Sequence, residues 1–552
     1  MHDMVAHEAP ASVDKDKKTI ILALEDIPPG PVQTELLTNE DVGSLPPGSE
    51  IVYVRSVPKE SLKRLSSTEA LLRLLGVSAI DEINHADAPN ASTYFGESED
   101  PALHRFESVH GRDALEIATR LGYRYPGLLK NTILELATTQ GVANEVFNPD
   151  APFSQEEAGR ILLLNLPPDN TDAKSFQEKL RWGFPFYGSA DVTLTYIESI
   201  DQYVQQEGDS ILSMEYDGRA GRSTIRQSFD LAAQWLLSRL LDPSQDFIEF
   251  KNKDPRPGCG MDCQSWRDSA YAYMHADGSR ANVKDGIASF DIQVSAFRAL
   301  KAVARNCTNQ VLGYELLSVA EALRKNVIDK FWVQGNRSDG TDGFFALGLD
   351  HDPSSGEWRQ LQVKASSMAS SLGCGLLSKD NPDEKRMIDA TIKHLVSPAL
   401  LAYAGIRTVA SDEICYGPNS YHTGSVWPWD TAHVADSLER EGFPYLGWEV
   451  RARILRLVTE SGAFPEFVSG DSNKITFPNI MAYAWNQKDE ILYVHVQPPQ
   501  PAQGWTISAV HDLKIRSSRF IYYKPPISKE EADLFNGIPS RAVSTHQNLV
   551  GF

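Results

Sequence analysis

Apolar residues along this chain recur mostly with a helical period. Ile225, Phe229, Ala232, Leu236 and Leu240 fall on one side of a 3.6-residue screw, and Leu312, Leu316, Val319, Leu323 and Val327 do the same. The same reading predicts helices over 113–125, 127–140, 190–205, 286–304, 383–397, 428–441 and 446–459. Alternating and β-branched runs are confined to the ends. TIILA (19–23) and EIVYVR (50–55) read as short strands among proline-rich turns, and ILYVHV, GWTISAV and RFIYYK read as strands after residue 490. No fixed-period repeat is present. Many helices joined by long loops rich in Gly, Pro, Asp and Trp fit a mainly α toroid of paired helices, with loops at one end building a cleft. The expected layout is a leader and small β-containing or irregular region over 1–105, a helical domain over 106–490 and a short β-containing tail over 491–552.

Composition narrows the partners. The chain is 41% hydrophobic and 23% charged, as globular proteins are, with 53 basic and 74 acidic residues and a net charge of −21. That excess repels nucleic acid and anionic membrane and suits a neutral or cationic partner. No apolar run reaches the roughly 18 residues a membrane span needs. The first residues, MHDMVAHEAPASVDKDKK, lack the apolar stretch of a secretory signal, so a cytoplasmic location is expected. The sequons at Asn90, Asn306 and Asn336 are then chance matches. Cys259, Cys263, Cys307, Cys374 and Cys415 form a sparse, odd set. Cys259 and Cys263 have no Cys or His partners at zinc spacing, so they read as reduced thiols and no metal or organic cofactor is expected.

Five clusters carry candidate chemistry. In YHTGSVWPWD (421–430), Trp427 and Trp429 offer flat apolar surface beside Asp430, as a sugar ring and its hydroxyl rim require; core tryptophans at a helix start fit equally. In SWRDS (265–269), Trp266 would desolvate Asp268 and keep its proton available, unless Arg267 points inward or the pair lies on the surface. In AFPEFVSG (463–470), Glu466 between two phenylalanines is either a base for water or a solvent-facing side chain. In HGRDA (110–114), Arg112 and Asp113 can grip vicinal hydroxyls or form a structural ion pair. In PFYGSADVT (185–193), Asp191 stands at a helix start, where capping is the plain alternative.

Taken in order, FESVHGRDALEIATRL, SQEEAGRI, PFYGSADVTLTYI, SWRDSAYAYMHADGS, AGIRTV with YGPNSYHTGSVWPWD, and FPEFVSG resemble the amylo-α-1,6-glucosidase, or glycogen-debranching-type, glycoside hydrolases over about 106–487. The resemblance implies an (α/α)6 barrel and an inverting hydrolase acting on a terminal α-linked sugar, an α-glucoside or short oligosaccharide. It implies that Asp268 is the general acid and Glu466 the general base. Arg112 and Asp113 would hold the terminal sugar, and Asp191, Trp266, Arg407, His422, Trp427, Trp429 and Asp430 would line the same pocket. The chain departs from that pattern at EEAGRI, which lacks a following His-Glu pair, at Asp291-Ile292-Gln293, and at Trp429, which replaces a common His. The late Pro-Gln-Ala-Trp segment of the family is echoed only loosely, by Pro478 and Trp485. The glucanotransferase domain of full debranching enzymes is absent, so the substrate can have drifted. An epimerase or lyase using His110, His422, Tyr187 or Tyr421 is the enzymatic alternative, and a non-catalytic sugar-binding protein the other.

Overall fold

A computed structural model describes residues 65–93, 106–167, 170–242, 246–269, 271–335, 342–471, 473–475, 499–522, 527–539 and 541–542, and the backbone of strands 12–14, 19–23, 49–54, 480–487 and 490–494. Asn336, Pro478 and the turns IPPGP and LPPG lie outside the described residues. The helices, in chain order, are α1 (Ser67–Leu74), α2 (Gly111–Gly122), α3 (Pro126–Thr138), α4 (Thr171–Leu180), α5 (Val192–Glu207) and α6 (Ile225–Leu240). They continue as α7 (Phe290–Arg305), α8 (Gln310–Phe331), α9 (Pro382–Leu395), α10 (Pro428–Glu441), α11 (Pro444–Ser461), α12 (Gly504–Tyr522) and α13 (Lys529–Gly537).

Contacts among these elements close a ring. α2 packs on α5, α5 on α7, α7 on the 3-10 turn Ser366–Ser371, that turn on α10, α10 on α12, and α12 back on α2. Each inner element is backed by an outer helix: α3, α6, α8, α9, α11 and α1 respectively. The result is an (α/α)6 toroid in which one inner helix is cut down to a turn. Every helix read from apolar periodicity is present. Local signals mark their ends. Gly442, in the left-handed region at φ 96°, stops α10, and Pro444 opens α11, which fixes the hairpin between an inner helix and its outer partner. Thr224 and Gln227 form a capping box on α6.

Three readings need correction. GWTISAV and the start of RFIYYK lie in α12, not in strands. Their β-branched and aromatic residues mimic strand composition, but Ile507, Val510 and Leu513 are buried at helical spacing in the closure against α2 and α1. α1 stands in the region expected to be irregular, although Ser66 and Glu69 form the capping box that announces it. On α8 the buried line is Leu316, Ala320, Leu323, Val327 and Phe331, while Leu312 is 44% exposed at the solvent end. The terminal strands share one sheet, in the order 12–14, 19–23, 49–54, 480–487, 490–494, with Ser49–Val54 antiparallel to Ile480–Gln487.

Candidate active site

Every inner element begins at the same end of the toroid, so their N-termini surround one pit. Those termini carry acidic or amide side chains: Asp113 in the first turn of α2, Asp191 just before α5, Asp291 in the first turn of α7, Asp430 in the first turn of α10, and Gln503 just before α12. Helix N-termini favour negative charge, which makes carboxylates tolerable where a ring of helices leaves little water.

Arg112 organises one wall. Its guanidinium donates to Asp191 at 2.8 and 3.2 Å, to the Ser265 carbonyl at 2.9 Å and to Asp268 at 3.2 Å. Asp191 therefore orients Arg112, and makes no capping bond. Arg160 of the EEAGRI segment donates to the Ser189 carbonyl at 3.0 and 2.8 Å and so braces the loop that carries Asp191. Asp268 keeps 30% of its side chain open. Burial raises its pKa above the usual carboxylate range, with Arg112 opposing. Arg267 does not face it: that guanidinium is buried, lies 4.4 Å over the Trp266 ring, and donates to the His422 carbonyl at 3.0 Å and to Ser366 Oγ at 2.6 Å.

The opposite wall holds Glu466. Its carboxylate accepts from the Tyr421 hydroxyl at 2.5 Å and from the Gln500 N–H at 3.1 Å, while its own N–H donates to the Gln500 carbonyl at 2.8 Å. Glu466 is 3% exposed, so it does not point to solvent. Asp113 lies between the two walls. It accepts from Gln503 at 2.9 Å, and its pKa is pushed up to about 7, first by burial, with Arg112 opposing and the charges of Glu466 and Asp268 adding. Asp113 thus lies within electrostatic reach of both Asp268 and Glu466.

The aromatic residues of the sequence motif do other work. Trp427 is 1% exposed, stacks on His422 and Phe467, and donates to the Tyr421 carbonyl at 2.7 Å. It stiffens the loop behind the pit instead of offering a face to a sugar. Trp429, 7% exposed, stacks on Trp505 and meets Trp266 edge-on at 4.7 Å. Arg407 is fully buried and donates to the carbonyls of Gly470, Pro398 and Ala399, which makes it a brace for the late loop. His422 is buried beside Arg267 and Arg112, and burial first, then those cations, push its pKa well down. Its Nδ1 lies within hydrogen-bond reach of the Ser269 N–H at 3.3 Å and the Ser269 hydroxyl at 2.9 Å. Asp430, Trp266 and Trp429 line the hollow of the toroid beneath the pit, together with Arg112, Asp191 and Asp291. Gln293 of the departing Asp-Ile-Gln segment is structural, bonding both backbone polar groups of Ile248 at 3.0 and 2.9 Å.

Tyr421, Gln500 and Gln503 complete the hollow, and sequence reading gave them no such part. Gln503 reaches Asp113 across 390 positions, and no local pattern announces such a pair. Among the described residues no group of three or more His, Cys, Asp or Glu side chains could hold a metal ion, and no helix is long and apolar enough to cross a membrane. All five cysteines are free thiols.

Residues 230–485 match the family model described as the mannosylglycerate hydrolase MGH1-like glycoside hydrolase domain. No curated protein matches the sequence. Among solved structures, the chain is similar to a GH63 mannosylglycerate hydrolase from Thermus thermophilus in complex with Tris and D-glycerate. The identity is 14%, the TM-score 0.50, and the match covers 82% of this chain and 99% of that one. The same hydrolase in complex with Tris aligns at 12% identity and TM-score 0.47, covering 82% and 99%. The structural likeness carries the toroid, and the family model carries the kind of chemistry. The matching model is of the mannosylglycerate hydrolase type, not the debranching type that the sequence motifs resemble. The chain is a glycosidase, with a glycoside hydrolase domain over 230–485 on an (α/α)6 toroid.

Proposed function

We propose that the protein is an inverting glycoside hydrolase that removes a terminal α-linked hexose from a small glycoside, with Asp268 as general acid and Glu466 as general base. The observation that carries this reading is the placement of Asp113: buried, and within electrostatic reach of both Asp268 and Glu466. Asp268 gives its proton to the glycosidic oxygen as the bond to the anomeric carbon breaks. Glu466 takes a proton from the water that attacks the opposite ring face, and the sugar leaves with its anomeric configuration inverted. A carboxyl separation of roughly 6.5–9.5 Å leaves room for that water. The raised pKa of Asp268 favours the acid form, and the Tyr421 and Gln500 donors orient the Glu466 carboxylate. Asp113, with its raised proton affinity, and Arg112 would meet the hydroxyls of the bound sugar.

The sequence motifs favour glucose as the released sugar, and the family model adds α-mannosides of small acids as the competing class. The test is incubation with α-glucosides, including α-1,6-linked ones, and with α-mannosylglycerate, following the first-formed anomer by proton NMR. The β-anomer should appear first from an α-glycoside. Asp268→Asn and Glu466→Gln should each lower turnover by about 10² or more with the fold intact. An α-anomer as first product, or near-normal rates in either variant, would overturn the assignment.

A further inference from the structure

Asp268 and Glu466 both stand on backbone that is neither helix nor strand, so contacts from elsewhere must fix where they point. The Asp268 carboxyl meets Arg112 at 3.2 Å, the long end of the hydrogen-bond range, and keeps 30% of its side chain open. Its aim is therefore set largely by the residues on either side of it. Both of those neighbours are tied to His422. Arg267 donates to the His422 carbonyl at 3.0 Å, and Ser269 brings its N–H to 3.3 Å and its hydroxyl to 2.9 Å from the His422 Nδ1. Trp266 packs edge-on against the same ring, with centroids 5.5 Å apart. The residue before His422 is Tyr421, whose hydroxyl donates to Glu466 at 2.5 Å. Two consecutive residues thus hold the Glu466 carboxyl and the segment that carries Asp268, with one peptide unit between them.

The surroundings of His422 leave it little other work. It is 1% exposed, so it does not present a face to a sugar. Burial first, then Arg267 and Arg112, disfavour the charged ring, so it is not an imidazolium acid near neutrality. Its Nε2 is buried without a hydrogen-bond partner among the described residues, a costly state for a polar atom. The Nδ1 and the carbonyl remain, and both meet the segment that carries Asp268. Stacking on Trp427, with centroids 5.1 Å apart, fixes the plane of the ring. Proton donation depends steeply on distance and angle, so a general acid on irregular backbone needs such a brace.

We propose that His422 is a positioning residue for proton donation, bracing the Asp268 segment through its ring nitrogen and its carbonyl while Tyr421 holds Glu466. This rests on Asp268 as the acid and Glu466 as the base. The test uses paired substrates: isomaltose with α-glucosyl fluoride, and α-mannosylglycerate with α-mannosyl fluoride. Fluoride leaves as a stable anion with little proton donation, so a defect in the acid is muted on the fluorides. His422→Phe keeps a ring and removes the nitrogen. Its kcat on the O-glycoside should fall about tenfold or more with KM within about twofold of the parent, and its kcat on the fluoride should stay within about threefold. His422→Asn, whose amide can stand where Nδ1 stands, should recover most of the loss. Ser269→Ala removes the hydroxyl from the other side and should show the same pattern at smaller size; it decides the matter if His422→Phe does not fold. Tyr421→Phe, which acts on the base, should lose activity on both leaving groups. A leaving-group-dependent loss in Asp268→Asn beside equal losses, or none, in His422→Phe and Ser269→Ala would overturn the brace alone. An Asp268→Asn loss equal on both leaving groups, or no turnover of any of the four substrates by the parent, would overturn the acid assignment and the brace with it.

Discussion

At the residue scale the candidate site depends on a few contacts that hold its carboxyls in place. The Tyr421 hydroxyl holds one oxygen of Glu466 at 2.5 Å, and its ring packs edge-on against Trp427 and Phe467. Tyr421→Phe keeps the ring and removes the hydroxyl. A hydrogen bond to a charged group contributes about 1.5–3 kcal/mol, so turnover should fall about tenfold or more while the melting temperature stays close to that of the parent. Unchanged turnover would show that the hydroxyl does not orient the base. Asp113 offers a test in pH. Its folded-state pKa is raised to about 7, so between about pH 4 and pH 7 the folded protein holds a proton that the unfolded chain releases. That contribution favours folding at the low end of the window and is lost as pH rises through it. The stability of the parent relative to Asp113→Asn should therefore decline between pH 5 and pH 8. Parallel melting curves across that range would contradict the raised proton affinity.

At the scale of elements, one carboxylate ties four helices. Asp436 on α10 accepts from Arg120 of α2 at 2.9 Å and from Arg451 of α11, and Arg516 of α12 lies 3.8 Å away. Burial alone would raise its pKa, but Arg451, Arg120 and Arg516 hold it far below the usual carboxylate range. Because that pKa is depressed, the stabilisation is complete above the unfolded value near pH 4 and is lost only in stronger acid. Asp436→Asn should lower stability at pH 7 by about 3–5 kcal/mol, as expected when one member of a buried ion cluster is removed. A change below about 1 kcal/mol in denaturant unfolding would mean that Asp512, which also faces Arg120 and Arg451, suffices alone. This scale is also where sequence reading succeeded and failed. α2, α3 and α5 through α11 were legible because apolar spacing, prolines at first turns and Gly442 agree, whereas α4 was not read from the sequence. α12 was misread because Trp505, Thr506 and Ile507 favour strands locally, and only packing against α2 and α1 forces the helical answer.

At the scale of the molecule, closing the ring decides where the chemistry sits. By itself the sequence determined most of the helical content, the hairpin of α10 with α11 at Gly442 and Pro444, and the acidic residues at helix starts. Those are local properties: spacing, capping and backbone preference act within about a dozen residues. Tertiary structure alone decided that Trp427 and Arg407 stand behind the wall, that Tyr421 and Gln500 hold Glu466, and that Gln503 reaches Asp113. Burial and charge partnership depend on which distant segments the ring brings together, and a linear pattern of residues does not encode a neighbour hundreds of positions away.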